Sequence, residues 1–169
     1  MSCTNKQPEP FLVEQHQIGF LTDSTQVKDL DMVFPKDSIV KFNAGDDFMG
    51  SINTIDVYEK GGAKLLSLYP REISDSTSTI GSIHILDQRY QTAKKIGLNS
   101  TFKDIKNAYT ITSIDNLINM ISVNVKEIDA SFTIDKNKLP TNMRFDMKLK
   151  IAPMMIPDDV KVKFFIIHW

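Results

Sequence analysis

Three histidines, one cysteine and two adjacent aspartate pairs are the residues whose types could support catalysis or metal binding in this 169-residue chain. His16, His84 and His168 stand far apart, and no HxH, HxxxH or HxxE spacing occurs. A metal site needs several ligands converging at short range, so no metal and no cofactor is expected. His84 (Ile-His-Ile) and His168 (Ile-His-Trp) read instead as polar positions alternating with apolar ones, in matching places on an outer sheet face rather than converging. Nucleophilic catalysis needs a Ser, Cys or Thr beside a base and an orienting group. Ser82 and His84 lie two apart on one strand face, a common surface pairing, and no Gly-x-Ser-x-Gly elbow occurs. No catalytic residue is assigned.

The carboxylate pairs are Asp46-Asp47 and Asp158-Asp159. Adjacent side chains generally point apart, so neither is a ready acid–base couple. The first pair belongs to a glycine-bounded loop, Asn43-Ala44-Gly45-Asp46-Asp47-Phe48-Met49-Gly50. Apolar anchors with flanking charge suit recognition, which makes Asp46, Asp47, Phe48 and Met49 the candidate partner contact. The alternative is a strand connection whose Phe48 and Met49 fold into the core. An EF-hand reading lacks the required ligand spacing. Ala152–Pro157, with Met154 and Met155, is a second apolar connection, and Asn99-Ser100-Thr101 is better explained by helix capping than by glycosylation.

Cys3 cannot form an internal disulfide, because it has no partner in the chain. Its setting, Met1-Ser2-Cys3-Thr4-Asn5-Lys6-Gln7-Pro8-Glu9-Pro10, is a small residue, then Cys, then a short polar tether containing proline. That pattern looks like a bacterial lipoprotein junction, where cleavage just before the cysteine leaves its thiol to carry lipid. The expectation is therefore a lipid attachment at Cys3, with residues 1–10 a flexible leader. The competing reading is an incidental cytosolic cysteine. No apolar run of membrane-spanning length is present.

Bulk properties restrict the function classes. The chain is 41% hydrophobic and 24% charged, as is ordinary for a globular protein. Its 20 basic and 21 acidic side chains are interspersed and leave a net charge of −1. That argues against a nucleic-acid binder and against a polybasic membrane tether. Ten Phe, four Tyr and one Trp supply a core.

The elements that would position any site are legible through an internal repeat. Ile18-Gly19 is followed by Ser24-Thr25-Gln26-Val27-Lys28-Asp29-Leu30 and Phe34; Ile96-Gly97 is followed by Ser100-Thr101-Phe102-Lys103-Asp104-Ile105 and Tyr109. Each block reads as a helix start. A hydroxyl caps the first amides, an aspartate sits in the positive opening turn, and apolar residues four apart share a face. Pro35 ends the first helix. Alternating segments follow both blocks: 38–43, 52–60, 63–69 and 79–86, then 110–115, 118–126, 130–135, 143–151 and 160–168. The clearest alternation places Met143, Phe145, Met147, Leu149 and Ile151 on one strand face; Val160, Val162, Phe164 and Ile166 form another. Lys60-Gly61-Gly62-Ala63 predicts a two-residue hairpin whose glycines both take positive φ.

The fold class expected is α+β, in two tandem units, 11–88 and 89–169. Each is a short helical element followed by an antiparallel meander, with the option of one shared curved sheet. Through its Gly–spacer–Thr-capped helix openings (Gly19–Thr25 and Gly97–Thr101), this layout resembles the tandem units of the β-lactamase inhibitor protein and the single units of small outer-membrane assembly lipoproteins. It lacks the disulfides such domains often carry. The Ile156-Pro157-Asp158-Asp159 turn, the Ser100–Ile105 block and the terminal Trp169 are similar to those of uncharacterised Bacteroidetes-type lipoproteins, which implies compartment rather than mechanism. The resulting expectation is a non-enzymatic envelope lipoprotein that binds an envelope protein or other envelope component. It would be periplasmic or surface-facing, meet the membrane only through its anchor, and bind no nucleic acid. The alternative is a small hydrolase with a site assembled from distant residues.

Overall fold

The computed structural model describes residues 9–42 and 54–169. Cys3 and the loop residues Asp46, Asp47, Phe48 and Met49 lie outside the described residues.

The chain is a mixed α+β protein dominated by antiparallel sheet. It opens with three short strands, β1 (Leu12–Glu14), β2 (Gln17–Ile18) and β3 (Leu21–Thr22). A 3-10 turn at Val27–Asp29 runs into α1 (Leu30–Val33). Then come β4 (Ser38–Phe42), β5 (Thr54–Tyr58), β6 (Lys64–Pro70), β7 (Ile80–Ile85) and the short β8 (Gln91–Thr92). The later part holds α2 (Phe102–Ala108), β9 (Ile111–Asn116), β10 (Met120–Val125), β11 (Ala130–Asp135), α3 (Thr141–Phe145) and β12 (Phe164–His168).

Eight strands form one sheet in the order β4-β5-β6-β7-β12-β11-β10-β9, every neighbouring pair antiparallel. Residues 38–85 thus fill one half and residues 111–168 the other, joined at β7 and β12, where His84 faces Ile166 and Ile83 faces Ile167. A second small sheet, β3-β2-β1-β8, ties the two opening segments together through parallel pairing of β1 with β8.

Strand alternation sorts the large sheet's faces. Val57, Leu66, Leu68, Ile83, Ile85, Phe165, Ile167, Phe132, Ile134, Ile121 and Val123 line one face and are almost fully buried. Leu30 and Phe34 near the first helix, and Phe102 and Ile105 of α2, belong to the same core cluster. Phe132 and Phe165 stack with ring centroids 4.6 Å apart.

Both helix openings are served by the strand-ward return of their own half. The amides of Val27 and Lys28 donate to the carbonyls of Ser78 (3.0 Å) and Ser76 (2.9 Å); those of Phe102 and Lys103 donate to Val160 (2.8 Å) and Asp158 (3.0 Å). The third amide differs. In α2 the Asp104 amide donates to Thr101 Oγ1, and Asp104 accepts from the Thr101 amide at 2.8 Å, a reciprocal capping box. The first helix has no side-chain cap. The Asp29 amide donates to the Gln26 carbonyl, and the Thr25 hydroxyl accepts instead from the Thr22 amide at 3.0 Å. The expected hydroxyl cap is therefore present at Thr101 and absent at Thr25.

The Ile-Gly dipeptides have a steric cause. A Cβ on Gly19, which sits at φ +57°, would lie 2.3 Å from the Pro10 carbonyl oxygen; one on Gly97 would lie 2.7 Å from that of Tyr90. Each glycine lets the chain pass close against another backbone segment.

Three local expectations fail. Residues 143–151 form no strand. Pro140 precedes the helical turn α3, and Asp146 then accepts from the Lys148 amide at 2.9 Å, turning the chain. β12 is already flanked by β7 and β11, so it offers this segment no free edge. Met143 and Ile151 are buried, while Phe145 and Met147 are exposed. At the C-terminus the chain bends at Lys163, so Val160 and Val162 are buried but the buried positions of β12 are Phe165 and Ile167, not Phe164 and Ile166. Between β5 and β6 the turn spans Glu59–Ala63, closed by the Glu59 amide on the Ala63 carbonyl, and of its glycines only Gly61 has positive φ.

Candidate functional site

The face of the large sheet opposite the apolar core carries a band of polar side chains, of which Asp56, Ser67 and Ser131 are themselves buried, and no helix among the described residues contributes to it. Cross-strand pairing builds it in register: Asp56 opposite Ser67, Ser67 opposite His84, His84 opposite Ile166, Ile166 opposite Ser131, Ser131 opposite Asn124 and Asn124 opposite Ser113. Residues directly opposite in an antiparallel pair share a face, so this is one continuous row across seven strands.

The two ends of the row are wired alike. On one side Ser67 Oγ donates to Asp56 Oδ1 at 2.7 Å, and Lys64 Nζ meets Asp56 Oδ2 at 2.6 Å. Asp56 is buried, and this pairing is what makes its burial tolerable. On the other side Ser131 Oγ donates to Asn124 Oδ1 at 2.7 Å, and Asn124 Nδ2 donates to Asp115 Oδ2 (2.7 Å) and Ser113 Oγ (2.9 Å). A carboxylate only accepts, so Asp115 fixes the orientation of the Asn124 amide.

His84 and His168 meet near the middle. His168 stands opposite Ser82 and His84 opposite Ile166, so the imidazoles are diagonal neighbours on one face. They share one outer face as expected, and as diagonal neighbours a charge on His168 opposes protonation of His84. Desolvation, then His168, then Lys64 push the His84 imidazole below its ordinary value. Desolvation also lowers that of His168, with Asp129 opposing. The Tyr69 ring lies 4.6 Å from the His84 ring. His16 is elsewhere, in the β1–β2 turn, paired with Asp23 at 2.9 Å. Among the described residues no group of three or more His, Cys, Asp or Glu is placed to hold a metal.

An open groove of about 580 Å³ runs along this face, lined among others by His168, Ser131, Asn124, Ser122 and Asp115. The contact between Ser131 Oγ and His168 Nε2, 2.7 Å, has the length of a nucleophile–base pair. The hydroxyl proton, however, is given to Asn124, whose amide cannot turn away without losing Asp115. His168 Nε2 must then be the donor, and it cannot also accept the serine proton. The arrangement holds an imidazole in place rather than activating an alcohol.

Of the residues singled out from sequence, Ser82, His84 and His168 share this face as expected. Asp158 pairs with Lys106 beside α2 and accepts from the Lys103 amide, a structural task. Asp56, Lys64, Ser67, Asn124 and Ser131 were not singled out. Asp56, flanked by Ile55 and Val57 inside a strand pattern, was the visible signal: a charge there requires a partner.

No family model and no curated protein matches the chain. Among solved structures it is similar to the uncharacterized protein YfeY from Escherichia coli, at 14% identity and a TM-score of 0.62, over 94% of this chain and 99% of that one, a likeness of fold alone.

Proposed function

We propose that this chain is a non-enzymatic binding module of the cell envelope, tethered through lipid on Cys3, and that the polar sheet face is its contact surface. The observation that carries the reading is the polar row from Asp56 to Ser113. Hydrogen bonds tie its side chains together at both ends, and the Ser131–Asn124 end presents hydroxyl, amide and imidazole edges along an open groove. Rigid, pre-oriented polar groups suit recognition. The envelope part of the reading rests on the Cys3 junction and on the likeness to Bacteroidetes-type lipoproteins. The test is a pull-down from envelope membranes with the lipidated chain. Cys3→Ala should release the protein from membranes washed at about 0.5 M salt, and Ser131→Arg with His84→Arg should lose partners while leaving anchoring intact. An unchanged partner set in the double variant would remove the sheet face from the reading.

The same proposal takes the chain as two tandem units, 11–88 and 89–169, as the resemblance to the β-lactamase inhibitor protein implies. Supporting it, Val160 and Asp158 stand 82 residues after Ser78 and Ser76 and receive the equivalent helix amides. The facing residues His84 and Ile166 are separated by the same 82, as a two-fold axis between β7 and β12 requires. Ser67→Asp56 and Ser131→Asn124 are then one hydrogen bond made twice. The second reading, a small hydrolase with a site assembled from distant residues, would require Ser131 to turn its proton from Asn124 to His168. Ester hydrolysis abolished by Ser131→Ala would establish it.

A further inference from the structure

The tip of the β9–β10 hairpin and α3 are fastened into one surface. Asn116, at the end of β9, donates through Nδ2 to the carbonyls of Asp146 (3.0 Å) and Leu149 (2.9 Å). The Lys136 amide donates to the Asn119 carbonyl at 3.0 Å, and Arg144 Nε to the Leu139 carbonyl at 2.7 Å. Between them lies a groove of about 310 Å³ lined by Ile118, Lys136, Arg144, Phe145 and Met147, among others. Its apolar members face solvent: Phe145 is 81% exposed, Ile118 76% and Met147 46%. A cluster of large exposed apolar side chains marks an interaction surface.

Charge says what kind. Lys136, Lys138, Arg144, Lys148 and Lys150 lie within fifteen residues that hold one acidic side chain, Asp146, in a chain of net charge −1. Lys136 is only 3% exposed, and its ammonium donates to the Met147 thioether at 3.4 Å. A thioether is a weak acceptor for a group with three N–H donors, so an anionic oxygen in the groove would serve it better. The apolar patch is a few side chains set in a predominantly basic rim. Apolar tips inside a basic rim match a membrane interface, where aromatic and aliphatic side chains enter below the headgroups and Lys or Arg meet the phosphates.

We infer that this surface docks on an anionic phospholipid bilayer, with Phe145 and Ile118 inserted and Arg144, Lys148 and Lys150 among the headgroup phosphates. The inference is independent of the sheet-face reading and of lipid on Cys3. It is tested with the full unlipidated chain by flotation with vesicles of phosphatidylcholine alone or mixed about 3:1 with phosphatidylglycerol. The chain should float with the anionic vesicles only and be released by about 0.5 M salt. At about fivefold per basic residue, Lys148→Glu with Lys150→Glu should weaken partitioning at least tenfold, and Ile118→Ser with Phe145→Ser should weaken it comparably. All four side chains are exposed, so urea midpoints should stay put. As a second readout, Phe145→Trp emission should shift to the blue with anionic vesicles and not with neutral ones. Failure to float at low salt, flotation of both double variants like the parent, or unshifted emission would overturn the inference and assign the patch to a protein partner.

Discussion

At the scale of single residues, stability turns on atoms that composition does not reveal. Gly97→Ala drives a methyl group toward the Tyr90 carbonyl oxygen, 2.7 Å away, and Gly19→Ala does the same against Pro10 with an unfavourable φ added. Each should lower urea stability by about 1–3 kcal/mol. Gly61→Ala, whose Cβ would meet nothing within 4 Å, should cost only the φ penalty, about 1 kcal/mol. Equal losses at all three would refute the close-approach explanation. The imidazoles give a pH dependence with a definite sign. His84 is depressed in the folded state, so the unfolded chain binds more protons as pH falls through the ordinary imidazole value of 6.5. Stability is then lost on acidification across that window. His168 is depressed in the same sense but more exposed, and contributes less. The neighbours of the pair are Tyr69, Ser131, Lys64 and Asp129. His84→Gln should flatten the urea midpoint between about pH 7.5 and about pH 5.5. The carboxylates held low by hydrogen bonds, Asp104 by Thr101 and Asp135 by Lys163, act only below their ordinary value of 3.8 and leave that window untouched.

At the scale of elements, residues 143–151 supply the sharpest test. A strand there would bury Met143 and Phe145 together; the turn of α3 buries the first at 1% exposure and leaves the second at 81%. Met143→Ala should cost about 2–5 kcal/mol, whereas Phe145→Ser should leave the thermal midpoint within experimental scatter. Strand segments 38–42, 120–125 and 130–135 were legible because alternation there coincides with a free place in the sheet. Segment 143–151 alternates as cleanly, yet alternation says nothing about whether an edge is available to accept it, and Pro140 and Asp146 settle the local geometry. The polar row was hidden for a related reason. Asp56, Ser67, His84, Ser131 and Asn124 come from five strands, and only cross-strand register makes them neighbours. Where one residue did signal, at Asp56, the partner remained unreadable: Lys64 lies across a β-bulge at Val57/Tyr58. Removing that partner tests the pair. Lys64→Met should destabilise by about 2 kcal/mol, less than for a fully buried pair because Lys64 is one-third exposed. Lys64→Met on an Asp56→Val background should cost little, and a cycle without coupling would dismiss the pair as incidental.

At the scale of the whole molecule, the two chain halves share one sheet but are not two independent bodies. The β7–β12 seam places Ile83, Ile85, Phe165 and Ile167 in the common core. Across it the Trp169 amide donates to the Gly81 carbonyl at 2.8 Å, and the Trp169 indole reaches back to the Gln15 carbonyl at 2.7 Å. β1 pairs with β8, and Phe11 meets Tyr90 edge-on at 5.0 Å. A fragment of residues 11–88 would therefore carry an unpaired β7 edge and a core face missing its neighbour, and a fragment of 89–169 the same at β12. Unpaired apolar edges invite association, and a half-sized core leaves little surplus over conformational entropy. Expressed apart, neither fragment should show a cooperative urea transition. Co-expressed, they should form a one-to-one complex that unfolds in a single step, because the seam supplies to each the edge and the apolar area it lacks. The lone tryptophan reports the assembly: its emission in the complex should match that of the intact chain, with the indole held against Gln15. A cooperative transition in either isolated fragment would mean that the halves are separate folding units and that the seam only docks them.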